Sequence, residues 1–285
     1  MTLVVARSIS DEIRVICDSK VTDPTTIRSG RMVDILKVII LQPKLCVCFA
    51  GNIGRAQMAM ENLARTIGAD DGFDLEEILD FLLMEHLEGE RRAGDGVEGT
   101  DFIVGTMGPK LSIYRIAAGV LERDLPNAWI GDPAAFSAYQ SNFHDPETLC
   151  SKYRLHSGDP RLEMISKMAD AFRAVIQDDA FPSVGNFLIS VTSKPAGGDG
   201  FTYLPSAIGD GFGTAAEGGF TYSILTPKIS GIGALGVYFN QGRFGTLMYP
   251  ARSLAPVVYA GVDFEEFVLK VKNDFGIELW RFGFR

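Results

Sequence analysis

Apolar and polar positions alternate from the first residues of the chain. LVVARSI and EIRVICDSK are rich in β-branched residues and are parted by the polar SDE, so the pattern predicts a hairpin that begins almost at Met1. After the turn-rich stretch TDPTTIRSGRMV, a second pair of apolar runs, LKVIIL and KLCVCFAG, is joined at Gln42-Pro43. The period then changes. In GRAQMAMENLARTIG, Met58, Ala59, Leu63 and Ile67 recur near helical spacing, and in DLEEILDFLLMEHLEGE Asp74 stands three residues before Glu77, as in a capping box.

The alternation returns in TDFIVGTM and KLSIYRIAAG, a hairpin joined at Gly108-Pro109, followed by one further strand within VLERDLPNAWIG. Two more helical patterns, DPAAFSAYQSNF and PRLEMISKMADAFRAVIQ, precede a hairpin of VGNFLISVTS with GFTYLP. From Ser206 the chain is glycine-rich and aperiodic, which predicts an insertion or extension over about 206–250. A hairpin around Asn240-Gln241-Gly242 and a helix over DFEEFVLKVKNDFG, capped by Asp263, close the pattern.

Strands and helices thus come in runs and not as alternating βαβ units, which disfavours a parallel doubly wound sheet. The expectation is an α+β chain, one domain over 1–285, with two antiparallel sheets and helix pairs outside them.

Composition narrows the classes. The 285 residues are 46% apolar and carry a net charge of -9 without a basic block, so nucleic-acid binding has no footprint. No apolar run approaches the ~20 residues that span a bilayer. The four cysteines lack C-x-x-C spacing and no leader pattern precedes the first strand, which points to free thiols in a cytoplasmic protein. Cys46 and Cys48 alternate within a strand and are expected to pack together. His86, His144 and His156 show no ligand spacing, so neither a metal nor another cofactor is expected.

The chemistry starts at Thr2. Removal of Met1 would leave an α-amine beside a hydroxyl, and a free α-amine, with a pKa near ~8, is a suitable base at neutral pH. One residue would then supply nucleophile and base. Such a site also needs a cation, an acid to hold it and a backbone N–H for the oxyanion. Asp18 ends the strand that pairs with the Thr2 strand, Lys37 begins the next one, and Gly51 stands at a strand-to-helix junction. Lys20, close in sequence to Asp18, is the rival to Lys37.

MT at the start, DSKVT, LKVIIL and FAGN together resemble the proteasome β-type subunits and the simpler bacterial proteasome-like peptidase, members of the N-terminal nucleophile hydrolases. The resemblance runs from Thr2 to about Pro205 and takes in the last helix near Asp263. It implies a four-layer αββα sandwich, with Thr2 as nucleophile, Asp18 and Lys37 as its charged partners and Gly51 as oxyanion donor. It also implies a substrate pocket near Val21, Phe49 and Ile53. Peptide or unfolded-protein substrates, self-assembly into a ring, and an ATP-dependent unfoldase partner follow from it as well.

The chain departs from that family at two places. Asp132 follows Gly131 where a serine is usual, and Asp179 and Ser183 are one residue too far apart, with Val184 where glycine is expected. These three are therefore supporting candidates. As a structural residue Asp132 would cap the helix that Pro133 opens. Two other readings stay open: a subunit that keeps the fold without turnover, and an amidase or acylase acting on small molecules.

Overall fold

The computed structural model describes residues 2–20, 34–67, 72–93, 99–145, 160–185, 187–194, 200–204, 222–240 and 242–280. Among these the chain is mixed α and β, with three five-stranded antiparallel sheets.

The first sheet is built on the expected N-terminal hairpin, β1 (Leu3–Ile9) and β2 (Glu12–Cys17), and has the order β10-β9-β2-β1-β8. Its outer members are β8 (Asn127–Gly131), β9 (Ile189–Thr192) and β10 (Thr202–Tyr203). The second sheet runs β3-β4-β5-β6-β7, from β3 (Val38–Gln42), β4 (Leu45–Gly51), β5 (Thr100–Met107), β6 (Leu111–Ala117) and β7 (Val120–Glu122). VLERDLPNAWIG, expected as one strand, is two strands in different sheets. A left-handed Asp124 (φ 54°) and Pro126 break it between β7 and β8.

Alternation along β1 divides the core. Val4 and Ala6 join the cluster shared with the second sheet, whereas Leu3, Val5 and Ile9 pack with Tyr139, Phe143, Phe172 and Val175. Those partners belong to α3 (Pro133–His144) and α4 (Pro160–Ile176), which lie on the first sheet. α1 (Ile53–Thr66) and α2 (Leu75–Ala93) lie on the second. Asp74 caps α2 through the Glu76 and Glu77 N–H groups at 3.0 and 3.3 Å.

The third sheet is the main departure from the sequence reading. The stretch taken as an insertion contains β11 (Tyr222–Pro227), β12 (Leu235–Phe239) and β13 (Phe244–Met248), which pair with β14 (Val257–Ala260) and β15 (Leu279–Trp280). One face of this sheet feeds Tyr222, Ile224, Val237 and Met248 into the main core. The other buries Leu225 and Leu247 beneath Phe267 and Val271 of α5 (Phe264–Phe275). The last helix, capped by Asp263 as expected, therefore covers the third sheet and not the first two.

Tyr203 ties the third sheet to the second. Its buried hydroxyl lies 2.9 Å from the Val38 carbonyl of β3 and 2.8 Å from the Gly233 carbonyl just before β12. Among the described residues no helix is long and apolar enough to cross a membrane.

Candidate active site at Thr2

Thr2 precedes β1, and strand parity turns it to the same side as Val4 and Ala6, toward the second sheet. It is 3% exposed. Asp18 directly follows β2 and Lys37 directly precedes β3, so the ends of three strands bring the three side chains together.

The Thr2 hydroxyl donates to Asp18 Oδ1 and accepts from Lys37 Nζ at 2.5 Å. Lys37 Nζ also donates to Asp18 Oδ2 at 2.8 Å and to the Lys20 carbonyl at 2.6 Å, which uses all three ammonium protons. Asp18 is fully buried and satisfied on both oxygens. Oδ1 also accepts from Leu3 N at 3.1 Å, and Oδ2 accepts from Lys20 N at 3.1 Å and Gly185 N at 3.4 Å. A buried ion pair is tolerable only when its remaining donors and acceptors are met in this way. Lys20 contributes backbone to the cluster while its side chain runs along Gly185, so Lys37 is the cation at Thr2.

Two tight corners frame the site. At the end of β8, Gly131 has φ 104°, and a Cβ there would lie 1.9 Å from the Thr2 carbonyl oxygen. Only glycine tolerates that combination. The next residue, Asp132, donates its N–H to the Thr2 carbonyl at 2.7 Å and caps α3 through Ala134 N and Ala135 N at 2.9 and 3.2 Å. The capping role expected for Asp132 is thus present. At the end of β4, Gly51 repeats the corner: φ 110°, a Cβ that would lie 2.1 Å from the Gly99 carbonyl oxygen, and Asn52 N donating to that oxygen at 3.0 Å.

Gly51 N–H leaves the same edge of β4 as the N–H of Phe49, two residues earlier. Phe49 N–H bonds the Lys37 carbonyl at 3.0 Å, so that edge is the one on which Lys37 lies.

Ser183 reaches the site despite its irregular spacing, donating to Asp132 Oδ2 at 2.6 Å. Burial alone would raise the Asp132 carboxyl. The Ser183 hydroxyl and the two capping N–H groups outweigh it and hold the group below its ordinary value. Asp179 is exposed on the turn after α4, and the bonds around Asp132 are made without it. The Ser183 contact could not be found from spacing, because it depends on how the chain turns between Phe181 and Val184.

Phe49 is 1% exposed and lies on the opposite face of β4 from Cys46 and Cys48, the face α1 covers, so its ring fills core. Ile53 is half-buried at the start of α1 and packs against that core. Val21 and Met1 lie outside the described residues. Cys17, Cys46 and Cys48 are free, buried thiols, and burial pushes Cys17 and Cys48 upward.

His86, Glu90 and Asp101 converge closely enough to hold a cation. Both ring nitrogens of His86 are nevertheless engaged, Nδ1 with the Thr100 carbonyl at 2.9 Å and Nε2 accepting from Gly119 N at 2.8 Å. The ring is used as a tie between α2, β5 and the turn before β7, and sequence spacing gave no sign of it.

No protein-family model matches the chain, and a search of curated proteins found no match.

Proposed function

We propose that the chain is a threonine-type peptidase of the N-terminal nucleophile class, similar to the proteasome β-type subunits. The observation that carries this reading is the Thr2 hydroxyl held between Lys37 Nζ and the Asp18 carboxylate, all three side chains buried. A threonine serving only as a strand residue needs no such partners. The packing of α1 and α2 on the second sheet, and of α3 and α4 on the first, supports an αββα sandwich as the main body. The third sheet is an addition to it.

In this mechanism Met1 is removed and the Thr2 hydroxyl attacks the scissile carbonyl carbon. The α-amine takes the hydroxyl proton, directly or through water, and returns it to the leaving amine. Lys37, paired with Asp18, stabilises the developing alkoxide, and Gly51 N–H faces the oxyanion. Water activated by the same amine then releases the acyl group from Thr2 Oγ1. Ring assembly from copies of this chain and an unfoldase partner belong to the same reading and rest on the resemblance, whereas cytoplasmic residence rests on the cysteine pattern.

A second reading, a ring subunit without turnover, is favoured by Asp132 standing where a serine is usual. Hydrolysis assays with fluorogenic peptides, beside small N-acyl amides, separate the readings. The peptidase reading expects peptide cleavage that disappears in Thr2→Ala and falls by about 10²–10³ in Lys37→Met, the order seen when one charge-stabilising group is lost. Cleavage of the amides alone would move the assignment to an amidase. Cleavage of neither would favour the inactive subunit.

A further inference from the structure

β1 lies between β2 and β8, and its first residues divide their backbone groups between the two neighbours. Leu3 turns toward β2: its N–H donates to Asp18 Oδ1 at 3.1 Å, and its carbonyl accepts from Asp18 N at 3.4 Å. Successive residues of a strand face opposite neighbours, so Thr2 turns toward β8. Its carbonyl accepts from Asp132 N at 2.7 Å, and the register that sets Leu3 opposite Gly131 sets Thr2 opposite Asp132. In an antiparallel pair, a residue that gives its carbonyl to one neighbour gives its nitrogen to that neighbour too. Removal of Met1 would therefore free an α-amine directed at Asp132 and not at Asp18.

The charged groups around that position do not balance. Asp18, after β2, and Lys37, before β3, are paired at 2.8 Å and offset each other. The Lys20 side chain runs along Gly185, whose N–H meets Asp18 at Oδ2, whereas Thr2 meets Oδ1. Asp178 and Asp179 are exposed on the turn after α4, and the first turn of α3, PAAF, carries no charge. Asp132 is left as the unoffset charge. Its half-buried carboxylate meets two capping N–H groups and the Ser183 hydroxyl, and forms no ion pair among the described residues. Burial raises this carboxyl, while Ser183, the capping groups and, last, the charge at the chain's N-terminus lower it.

We infer that Asp132 is the counter-charge of the Thr2 α-amine, a positioning residue that holds the ammonium formed during attack and places turnover in the alkaline range. The inference rests on the function proposed for Thr2. As Thr2 Oγ1 bonds the scissile carbonyl carbon, the carbonyl π pair moves to its oxygen and the hydroxyl proton passes to the amine. The ammonium then faces Asp132 until that proton goes to the leaving nitrogen. A carboxylate within about 4–6 Å favours the charged amine. It makes the amine a stronger base and also keeps it protonated to higher pH, so the rate plateau and the pH at which it is reached both rise.

The test is the pH dependence of peptide kcat/KM in the full chain over about pH 6 to 10. The proton affinity of the α-amine is read separately, by competitive acetylation of the N-terminus followed by mass spectrometry. Both midpoints in wild type are expected above the ordinary ~8 of an α-amine. Asp132→Asn and Asp132→Ser each keep a cap on α3 and remove the charge. Both variants should move the two midpoints down by at least about one pH unit. They should also lower the alkaline plateau by about 10², the order seen when one charge-stabilising group is lost. That loss exceeds the gain in free amine, so hydrolysis falls at neutral pH as well. Ser183→Ala leaves the charge in place and should keep both midpoints above ~8.

Wild-type midpoints at or below ~8, or midpoints that do not move in the two Asp132 variants, would overturn the inference. A lower plateau without a shift would be the mark of a merely structural role and would overturn it equally. Spectra that show Met1 retained would instead overturn the function proposed for Thr2, and the inference with it.

Discussion

The corners Gly51–Asn52 and Gly131–Asp132 are nearly the same object built twice. Each ends a strand in a left-handed glycine, follows it with a polar cap at closely similar backbone angles (φ -67°, ψ 114° and φ -72°, ψ 114°), and starts a helix. Each also pins one carbonyl of the neighbouring chain, that of Gly99 in one case and of Thr2 in the other. What stands opposite the glycine differs. Gly99 has no side chain, whereas Thr2 brings a hydroxyl that meets Lys37 and Asp18. The corner is thus a backbone device for turning a strand into a helix, and the chemistry comes from what it holds in place.

The largest effect that would break this comparison belongs to the Lys37–Asp18 ion pair, whose carboxylate is fully buried, whereas the pair beside the other corner, Arg55–Glu85, keeps Glu85 partly exposed. Asp18→Ala strands a buried Lys37 and should cost about 3–5 kcal/mol of stability, read by urea unfolding. An equal loss from removing a polar group at the Gly99 corner would contradict the distinction. Next come the glycines. Gly131→Ala and Gly51→Ala each combine backbone strain with a clash and should destabilise by about 2–4 kcal/mol. The two values should agree closely, since the obstructing oxygen is equally near in both.

The caps are worth less. Asn52→Ala should cost about 1 kcal/mol. Asp132→Asn keeps a good cap and should change neutral-pH stability by less than that, while peptide hydrolysis falls because the charge beside Thr2 is gone. Equal activity in Asp132→Asn and wild type would remove Asp132 from the proton network.

The smallest effect is the dependence on pH. The folded Asp132 carboxyl lies below its ordinary value of 3.8, so the unfolded chain binds this proton first. The resulting stability is present above the unfolded value and is lost as pH falls through the folded one. Ser183→Ala removes one of the lowering bonds and should flatten the acid limb below about pH 4, whereas Asn52→Ala should shift the whole profile without changing its slope.

How much of this could be read from the chain differs between the two corners and the third sheet. Asp132 and Asp263 were legible as caps because a cap depends on neighbours in sequence. The Thr2, Asp18 and Lys37 convergence was also legible, since each borders a strand whose pairing the alternation predicted. The β12–β13 hairpin was legible around Asn240-Gln241-Gly242, but β11 and the sheet that the hairpin joins were not. Within the stretch read as an insertion, Gly236 and Gly245 are strand positions where a Cβ would strike Leu279 and Phe267. Close packing, not flexibility, requires those glycines, and packing partners some 20–45 residues away leave no local signal.

The most direct test of the account is the intact mass of the purified chain before and after treatment with a peptide epoxyketone, which forms its ring adduct only where a free amine and a hydroxyl share one residue. The account predicts a chain lacking Met1 and a single adduct that maps to Thr2 and is absent from Thr2→Ala. A retained Met1 with no adduct would contradict it, and would leave the buried Thr2, Lys37 and Asp18 cluster as structure without turnover.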